Sequence, residues 1–394
     1  MSIRRGLIAA FEQSAPAGGN FLLVGPDLAR GGGAAYHMRQ ICRWIRTPNV
    51  AFATFGTAVE PDIGAQLKAV IALNKIKWTS YPLAVATLAA YLRAARPAAT
   101  IAFGIQPLLV TWAASVLTGY RGGLGFIEIT RPWEAFNKIG WGSRSYANSW
   151  IMRKSLARCD IVTANSTDGV EELRKHCGVP EAISRRVHNL VDSSEFPPGK
   201  TDYRIEGPAR LVSTSRLVPD KGLDDLIEAV ARLAKQRDIH LTIVGDGPLR
   251  GRLEQLAARR GVAERVLFAG WANPPFAHIT AADLFVFPSH YEGFPNSVLE
   301  SMWLGVPVVT SFWGTDARQL AAEGAVLGHE PGDIKGLCLQ IEKAIDTEYL
   351  RQSLAEKARA CATHYDSRIT AAEYDRLFAE LADIAARRSW PSGA

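Results

Sequence analysis

Nearly the whole chain alternates short β-branched apolar runs with stretches of helical periodicity, and that alternation leaves few architectures open. Runs at 21–24, 50–55, 101–104, 124–129, 160–164 and 186–189 read as strands in the first half. Runs at 210–215, 240–245, 265–269, 284–288, 306–310 and 324–327 do so in the second. Helical patterns fill the intervals, for example 223–237 and 249–260. Strand, helix and strand in this repetition predict an α/β fold of parallel sheets covered by helices on both faces. With 394 residues the chain exceeds a single core. The pattern lapses at Phe196-Pro197-Pro198-Gly199-Lys200, so a linker is expected over 196–209. It would join a domain of residues 1–195 to one of residues 210–365, with 366–394 a C-terminal helix able to cross back to the first. The expected result is two doubly wound, Rossmann-like domains facing each other across a cleft, with ligands at the carboxyl ends of the strands.

Charge and composition narrow the classes. Residues 1–200 carry 23 Lys and Arg against 13 Asp and Glu, whereas residues 201–394 carry 22 against 26. A basic half joined to an acidic one points the first toward something anionic. Its focus is 131–158, where Arg131, Lys138, Arg144, Arg153, Lys154 and Arg158 mix with Trp133, Phe136, Trp141, Tyr146 and Trp150. Such a mixture suits either aromatics in the core with ordinary solvated cations around them or the headgroup boundary of an anionic membrane; the expected location is cytoplasmic, with peripheral attachment to the inner face of the cytoplasmic membrane on the second reading. No nucleic-acid partner is expected. Five cysteines without a C-x-x-C pair fit free thiols better than a disulfide framework or a zinc ribbon. The uncharged run 101–120 is long enough to span a bilayer, but Gly104, Gln106 and Pro107 divide it into a strand and a buried helix.

Three strings in the second half could carry chemistry. In Phe287-Pro-Ser-His-Tyr-Glu-Gly-Phe-Pro-Asn-Ser-Val-Leu-Glu300 a strand runs through a loop into a helix that Asn296 is expected to cap. Glu292 in the loop and Glu300 on the helix could hold hydroxyls on either side of a helix start that suits an anion. Ser213-Thr-Ser-Arg-Leu-Val-Pro-Asp-Lys-Gly222 puts Arg216 and Lys221 just beyond a strand, where a guanidinium fork and a compact ammonium suit phosphate. Val244-Gly-Asp-Gly-Pro248 is a strand-to-helix turn, functional or purely structural. In the first half, Val24-Gly-Pro-Asp-Leu-Ala-Arg-Gly-Gly-Gly33 is glycine-rich but matches neither G-x-G-x-x-G nor the P-loop, which argues against a dehydrogenase and a P-loop NTPase. No H-E-x-x-H, D-x-D or serine elbow occurs, so no metal is expected.

Together, F-P-S-x-x-E-G-F-P-N-x-x-L-E, S-R-L-x-x-x-K-G, V-G-D-G-P and the early glycine loop resemble glycosyltransferase family 4, whose members are retaining nucleotide-sugar transferases of the GT-B fold. His188-Asn189-Leu190-Val191-Asp192 is similar to that family's interdomain stretch. The resemblance implies that Arg216 and Lys221 grip the donor diphosphate, Glu292 the donor sugar and Glu300 the ribose. It also implies donor contacts from Gly32 and Gly33, from Gly247, from Trp271 and Ala272 beside the base, and from Gly293, Phe294, Pro295, Asn296 and Ser297. Where many members carry a histidine at the end of a first-domain strand, this chain reads Phe126-Ile-Glu-Ile-Thr, with Glu128 in that position. The implied activity is metal-free transfer, without a cofactor, from a UDP- or GDP-type sugar to a glycan or lipid-linked acceptor. A non-catalytic sugar-nucleotide-binding or scaffold protein, or an epimerase or phosphorylase on the same fold, remain as alternatives.

Overall fold

The computed structural model describes residues 21–28, 33–56, 67–73, 81–129 and 145–388. Contacts divide the chain into a first unit of Met1–Leu190 with Ser367–Ala394 and a second of Val191–Asp366. The chain thus passes between units twice, and its two crossing segments run side by side. Val191 forms an isolated parallel bridge with Asp366, and its N–H donates to the Tyr365 carbonyl over 3.0 Å.

The first unit contains β1 (Phe21–Gly25), α1 (Gly33–Trp44), β2 (Val50–Thr54), β3 (Ala69–Ala72), α2 (Tyr81–Ala95), β4 (Ala99–Phe103), α3 (Ile105–Thr118), β5 (Gly123–Glu128), α4 (Ser145–Leu156), β6 (Ile161–Ala164), α5 (Thr167–Lys175) and β7 (Ser184–Arg186). Its strands form one parallel sheet in the order β3-β2-β1-β4-β5-β6-β7. The run 101–120 divides as expected, into β4 and α3, and no described helix is long and apolar enough to cross a membrane. β3 was not foreseen, because it is an edge strand on which only Ile71 is buried, so its hydrophobic signal is short. The seventh strand begins two residues before the expected 186.

The second unit follows with β8 (Ala209–Thr214), α6 (Leu223–Leu233), β9 (Ile239–Val244), α7 (Arg250–Arg259), β10 (Val266–Gly270), α8 (Phe276–Thr280), β11 (Leu284–Phe287), α9 (Asn296–Trp303), β12 (Val308–Ser311), α10 (Thr315–Ala322), β13 (Leu327–His329), α11 (Ile334–Asp346) and α12 (Glu348–Ala362). Its sheet is also parallel, ordered β10-β9-β8-β11-β12-β13. Strand residues such as Leu211, Ile243 and Val286 face a core with α6 and α11, while Val212, Phe285 and Phe287 face α8, α9 and α12. Two buried faces explain the continuous apolar runs.

The stretch 196–209, expected as a linker, belongs to the second unit. Its polar, Pro-rich composition hides two anchors: the Phe196 ring lies 4.5 Å from Phe276, and Lys200 pairs with the buried Asp283 at 3.1 Å. The last helix, α13 (Ser367–Ala386), takes its place in the first unit. Tyr374, Leu377, Phe378 and Leu381 pack with Leu23, Ile101 and Phe103, which completes that face of the sheet.

Candidate active site

In each sheet the strand order reverses once, at β1/β4 and at β8/β11. Crossovers leave a crevice at the carboxyl end of such a switch point, since the connecting helices go to opposite faces. In the second unit β8 delivers Arg216 and Lys221 and β11 delivers Glu292, so the two most telling strings meet at that reversal.

The two loops are stitched together by main chain. The Asp220 carbonyl accepts from the His290 N–H at 2.8 Å and from Ser289 Oγ at 2.9 Å. Gly222 makes this approach possible: its φ is +60°, and a Cβ there would stand 2.3 Å from the Pro288 carbonyl oxygen. Across this seam Lys221 Nζ donates to Glu292 Oε1 in an ion pair whose side chains are only 16% and 15% exposed. Partial desolvation makes such a pair stronger than a surface bridge.

Serines brace the carboxylate. Ser289 Oγ lies 2.9 Å from Glu292 Oε1, and its single proton serves this oxygen, the Asp220 carbonyl or, at 3.3 Å, the Tyr291 carbonyl. Ser311 Oγ, at the end of β12, donates to the Ser289 carbonyl. These two serines escaped the sequence reading, although Ser289 stands inside the F-P-S string; only its neighbours at the ends of β8 and β12 give it a role. Arg216 is exposed, and among the described residues no carboxylate pairs with it.

Glu300, on α9, keeps part of its surface open to solvent but is closely crowded by protein. Desolvation, with repulsion from Glu195, pushes its carboxyl up to about 7. Asn296 is the first helical residue and not the cap: Pro295, at φ −76°, occupies the cap position and no side-chain oxygen caps the helix. Gly293, Phe294 and Pro295 are buried, with the Phe294 ring 6.2 Å from Trp313 and 4.9 Å from Tyr365, so Phe294 serves the core. Ser297, partly exposed, accepts the Ser301 hydroxyl at its carbonyl.

Gly247 lies in the turn after β9, and Trp271, 54% exposed, with Ala272 directly follows β10. Along the carboxyl edge the candidates therefore run Trp271, Gly247, Arg216 with Lys221, then Glu292, over four neighbouring strands. Three strand spacings make about 14 Å, a span that suits an extended ligand.

The remaining candidates belong to the first unit. Glu128 is buried at the end of β5, and its Oε1 accepts the N–H of Ile129 at 3.0 Å. Gly33 opens α1; Gly32 lies outside the described residues. So do Arg131, Trp133, Phe136, Lys138, Trp141 and Arg144 and the Tyr146 side chain. Of that basic stretch, Arg153 and Arg158 donate to the carbonyls of His176 and Tyr120, while Trp150 is exposed with Lys154 over its ring. Among the described residues no three His, Cys, Asp or Glu side chains gather as a metal-binding group.

A family model described as glycosyl transferases group 1 matches residues 200–360, and one described as glycosyltransferase family 4 matches residues 31–195. The chain belongs to glycosyltransferase family 4. It is 37% identical over 202 residues to the lipopolysaccharide core biosynthesis glycosyltransferase LpsE of Rhizobium meliloti, covering 50% of this chain and 57% of that protein. It is 25% identical over 249 residues to an N-acetylgalactosaminyltransferase of Campylobacter jejuni named for a diphospho-undecaprenol substrate, covering 63% and 67%. The chain thus matches little more than half to two thirds of the length of these relatives. Among solved structures, Anabaena Alr3699/HepE in complex with UDP superposes with a TM-score of 0.75 at 20% identity, over 92% of this chain and all of that one. Sucrose-phosphate synthase from Thermosynechococcus elongatus gives 0.79 at 18%, over 92% and 99%. The fold is GT-B.

Proposed function

We propose that this family member is a retaining glycosyltransferase that moves a sugar from a UDP- or GDP-sugar to a hydroxyl of a lipid-linked glycan or lipopolysaccharide precursor, without a metal. The observation that carries the reading is the Lys221–Glu292 pair, braced by Ser289 at the β8/β11 switch point. The names of the Rhizobium and Campylobacter relatives favour such acceptors, and the UDP in the HepE complex favours a nucleoside diphosphate leaving group.

As the bond from the anomeric carbon to phosphate breaks, negative charge grows on the diphosphate. Lys221 and Arg216 supply the compensating charge that a divalent ion supplies elsewhere. The acceptor oxygen attacks the anomeric carbon from the side the diphosphate leaves, and its proton passes to the departing phosphate oxygen. The configuration is kept, and no carboxylate nucleophile is needed. Glu292 accepts hydroxyls of the donor sugar, Glu300 those of the ribose, and Glu128 takes the first-domain position that the family resemblance gives to a histidine.

The test is nucleoside diphosphate release from a panel of UDP- and GDP-sugars with an undecaprenyl-diphosphate-linked or lipopolysaccharide-core acceptor, with EDTA present. One donor is expected to turn over, with EDTA harmless and the product bond in the donor's anomeric configuration by NMR. Loss of activity on chelation, restored by Mg²⁺ or Mn²⁺, would remove the leaving-group mechanism.

A second expectation concerns pH. With its carboxyl raised from 4.5 to about 7, Glu300 is largely protonated below that value and ionises above it. An ionised carboxylate accepts two hydroxyls where the acid accepts less well, so UDP-sugar affinity should rise with pH through about 7, falling up to about tenfold per unit below it. The sign for folding is opposite: a raised carboxyl binds its proton more tightly folded than unfolded, so its contribution weakens between pH 4.5 and about 7. Titrating UDP-sugar binding from pH 5.5 to 8.5 checks this. Glu195→Gln should move the midpoint down, and Glu300→Gln should flatten the profile.

A further inference from the structure

Buried in the first unit is a chain of polar groups that the transfer chemistry above does not use. Tyr374 on α13 is fully buried, and its Oη lies 2.8 Å from the carbonyl of His188 and 2.7 Å from Nε2 of His37 on α1. A carbonyl only accepts, so the single phenolic proton goes to His188, and His37 must donate from Nε2. The histidine tautomer is thereby fixed. Burial also pushes His37 down to about 3, against a weaker opposing contribution from Asn189, so the ring is neutral across the working pH range.

The same segment is gripped from two further directions. Glu373, next to Tyr374, accepts the His188 N–H at 2.9 Å and binds His188 Nδ1 at 2.8 Å. Asn165 Nδ2 donates to Asn189 Oδ1 at 2.9 Å, while the Asn165 N–H donates to the carbonyl of Glu128 at 3.1 Å. Two candidate site positions therefore hang on one set of bonds. Gly33 begins the helix that carries His37 one turn on, and Glu128 is tied through Asn165 to Asn189. A phenylalanine at 374 would fill the same apolar volume without a hydroxyl to satisfy. What the hydroxyl adds is direction: its bonds to the His188 carbonyl and to His37 Nε2 hold one arrangement where apolar packing tolerates several, although His37 Nδ1 and Asn165 Oδ1 find no partner among the described residues.

We propose that Tyr374 and His37 are positioning residues for sugar transfer: through their hydrogen bond the C-terminal helix sets α1 and the 188–189 segment, and with them Gly33 and Glu128. The proposal rests on the transferase reading above. All of it lies in the first unit, so the Lys221–Glu292 pair of the second unit should be untouched, and Gly33 is the one implied donor contact the network reaches.

Three variants separate position from stability. Tyr374→Phe removes only the hydroxyl. His37→Leu removes the donor, and His37→Gln keeps an N–H donor at similar reach. Each is measured in the full chain for kcat, for KM of acceptor and donor, for UDP-sugar Kd, for melting temperature and for hydrogen exchange of peptides covering 33–44. Tyr374→Phe and His37→Leu should each lower kcat roughly tenfold or more and speed exchange in 33–44, with a smaller effect on donor Kd than on kcat, because Gly33 alone of the implied donor contacts belongs to this network. His37→Gln should recover most of both losses. Wild-type kcat and exchange in Tyr374→Phe would overturn the proposal. So would a loss that follows the folded fraction alone, with His37→Gln no better than His37→Leu. If the wild type transfers from no nucleotide sugar, the transferase reading fails, and the exchange comparison still decides the latch: unchanged exchange overturns it.

Discussion

Lys221→Ala is expected to lower sugar transfer a hundredfold or more while leaving the fold in place. The ammonium sits at the switch point beside Glu292, only 16% exposed, where a charge acts through less water than at the surface. Removing one such donor to a developing oxyanion typically raises the barrier by about 3–4 kcal/mol. The fold should survive because the His290 N–H still donates to the Asp220 carbonyl and Ser289 Oγ still lies within reach of Glu292. Steady-state kinetics with a melting curve on the same sample tests this. Near-normal turnover in a folded variant would take Lys221 out of the donor site.

The second large effect is on stability. Gly247→Ala places a Cβ 2.5 Å from the carbonyl oxygen and 2.8 Å from the nitrogen of Leu217, both main-chain atoms that cannot rotate away. The two loops are already joined there, with the Leu217 N–H donating to Asp246 and its carbonyl accepting from Leu249. Relief requires a backbone shift, and overpacking of this kind costs about 3 kcal/mol, roughly 6–12 °C in the melting temperature of a unit this size. Donor affinity should fall too, since Arg216 and Lys221 flank the displaced residue. Gly251→Ala is the matched control: it lies in α7 with nothing within 4 Å of its Cβ, and alanine there should stabilise by about 0.5–1 kcal/mol. Equal melting temperatures for the two variants would show that the turn yields easily.

These two cases mark what the sequence makes legible. Arg216, Lys221 and Glu292 could be found because each follows an apolar strand run, and strand ends in parallel sheets are where ligands bind. The V-G-D-G-P turn could not be divided between function and structure, because the fault line is a contact with Leu217, thirty residues away in the chain. Ser311 and Ser289 stand 22 residues apart, and His37 and Tyr374 stand 337 apart. No local period carries such pairings. The division into units was obscured for the opposite reason: Pro197, Pro198 and Gly199 look like a linker, yet Phe196 and Lys200 on either side are pinned to the second unit.

On the proposed function, a nucleotide sugar binds along the carboxyl edge of the second sheet through Lys221. A thermal-shift panel of UDP- and GDP-sugars on wild type and Lys221→Ala measures it most directly, since a ligand of the native state raises the melting temperature by mass action. One nucleotide class should stabilise the wild type, and Lys221→Ala should lose that shift while its unliganded melting temperature stays close to wild type. A nucleotide sugar that stabilises both proteins equally would contradict the assignment.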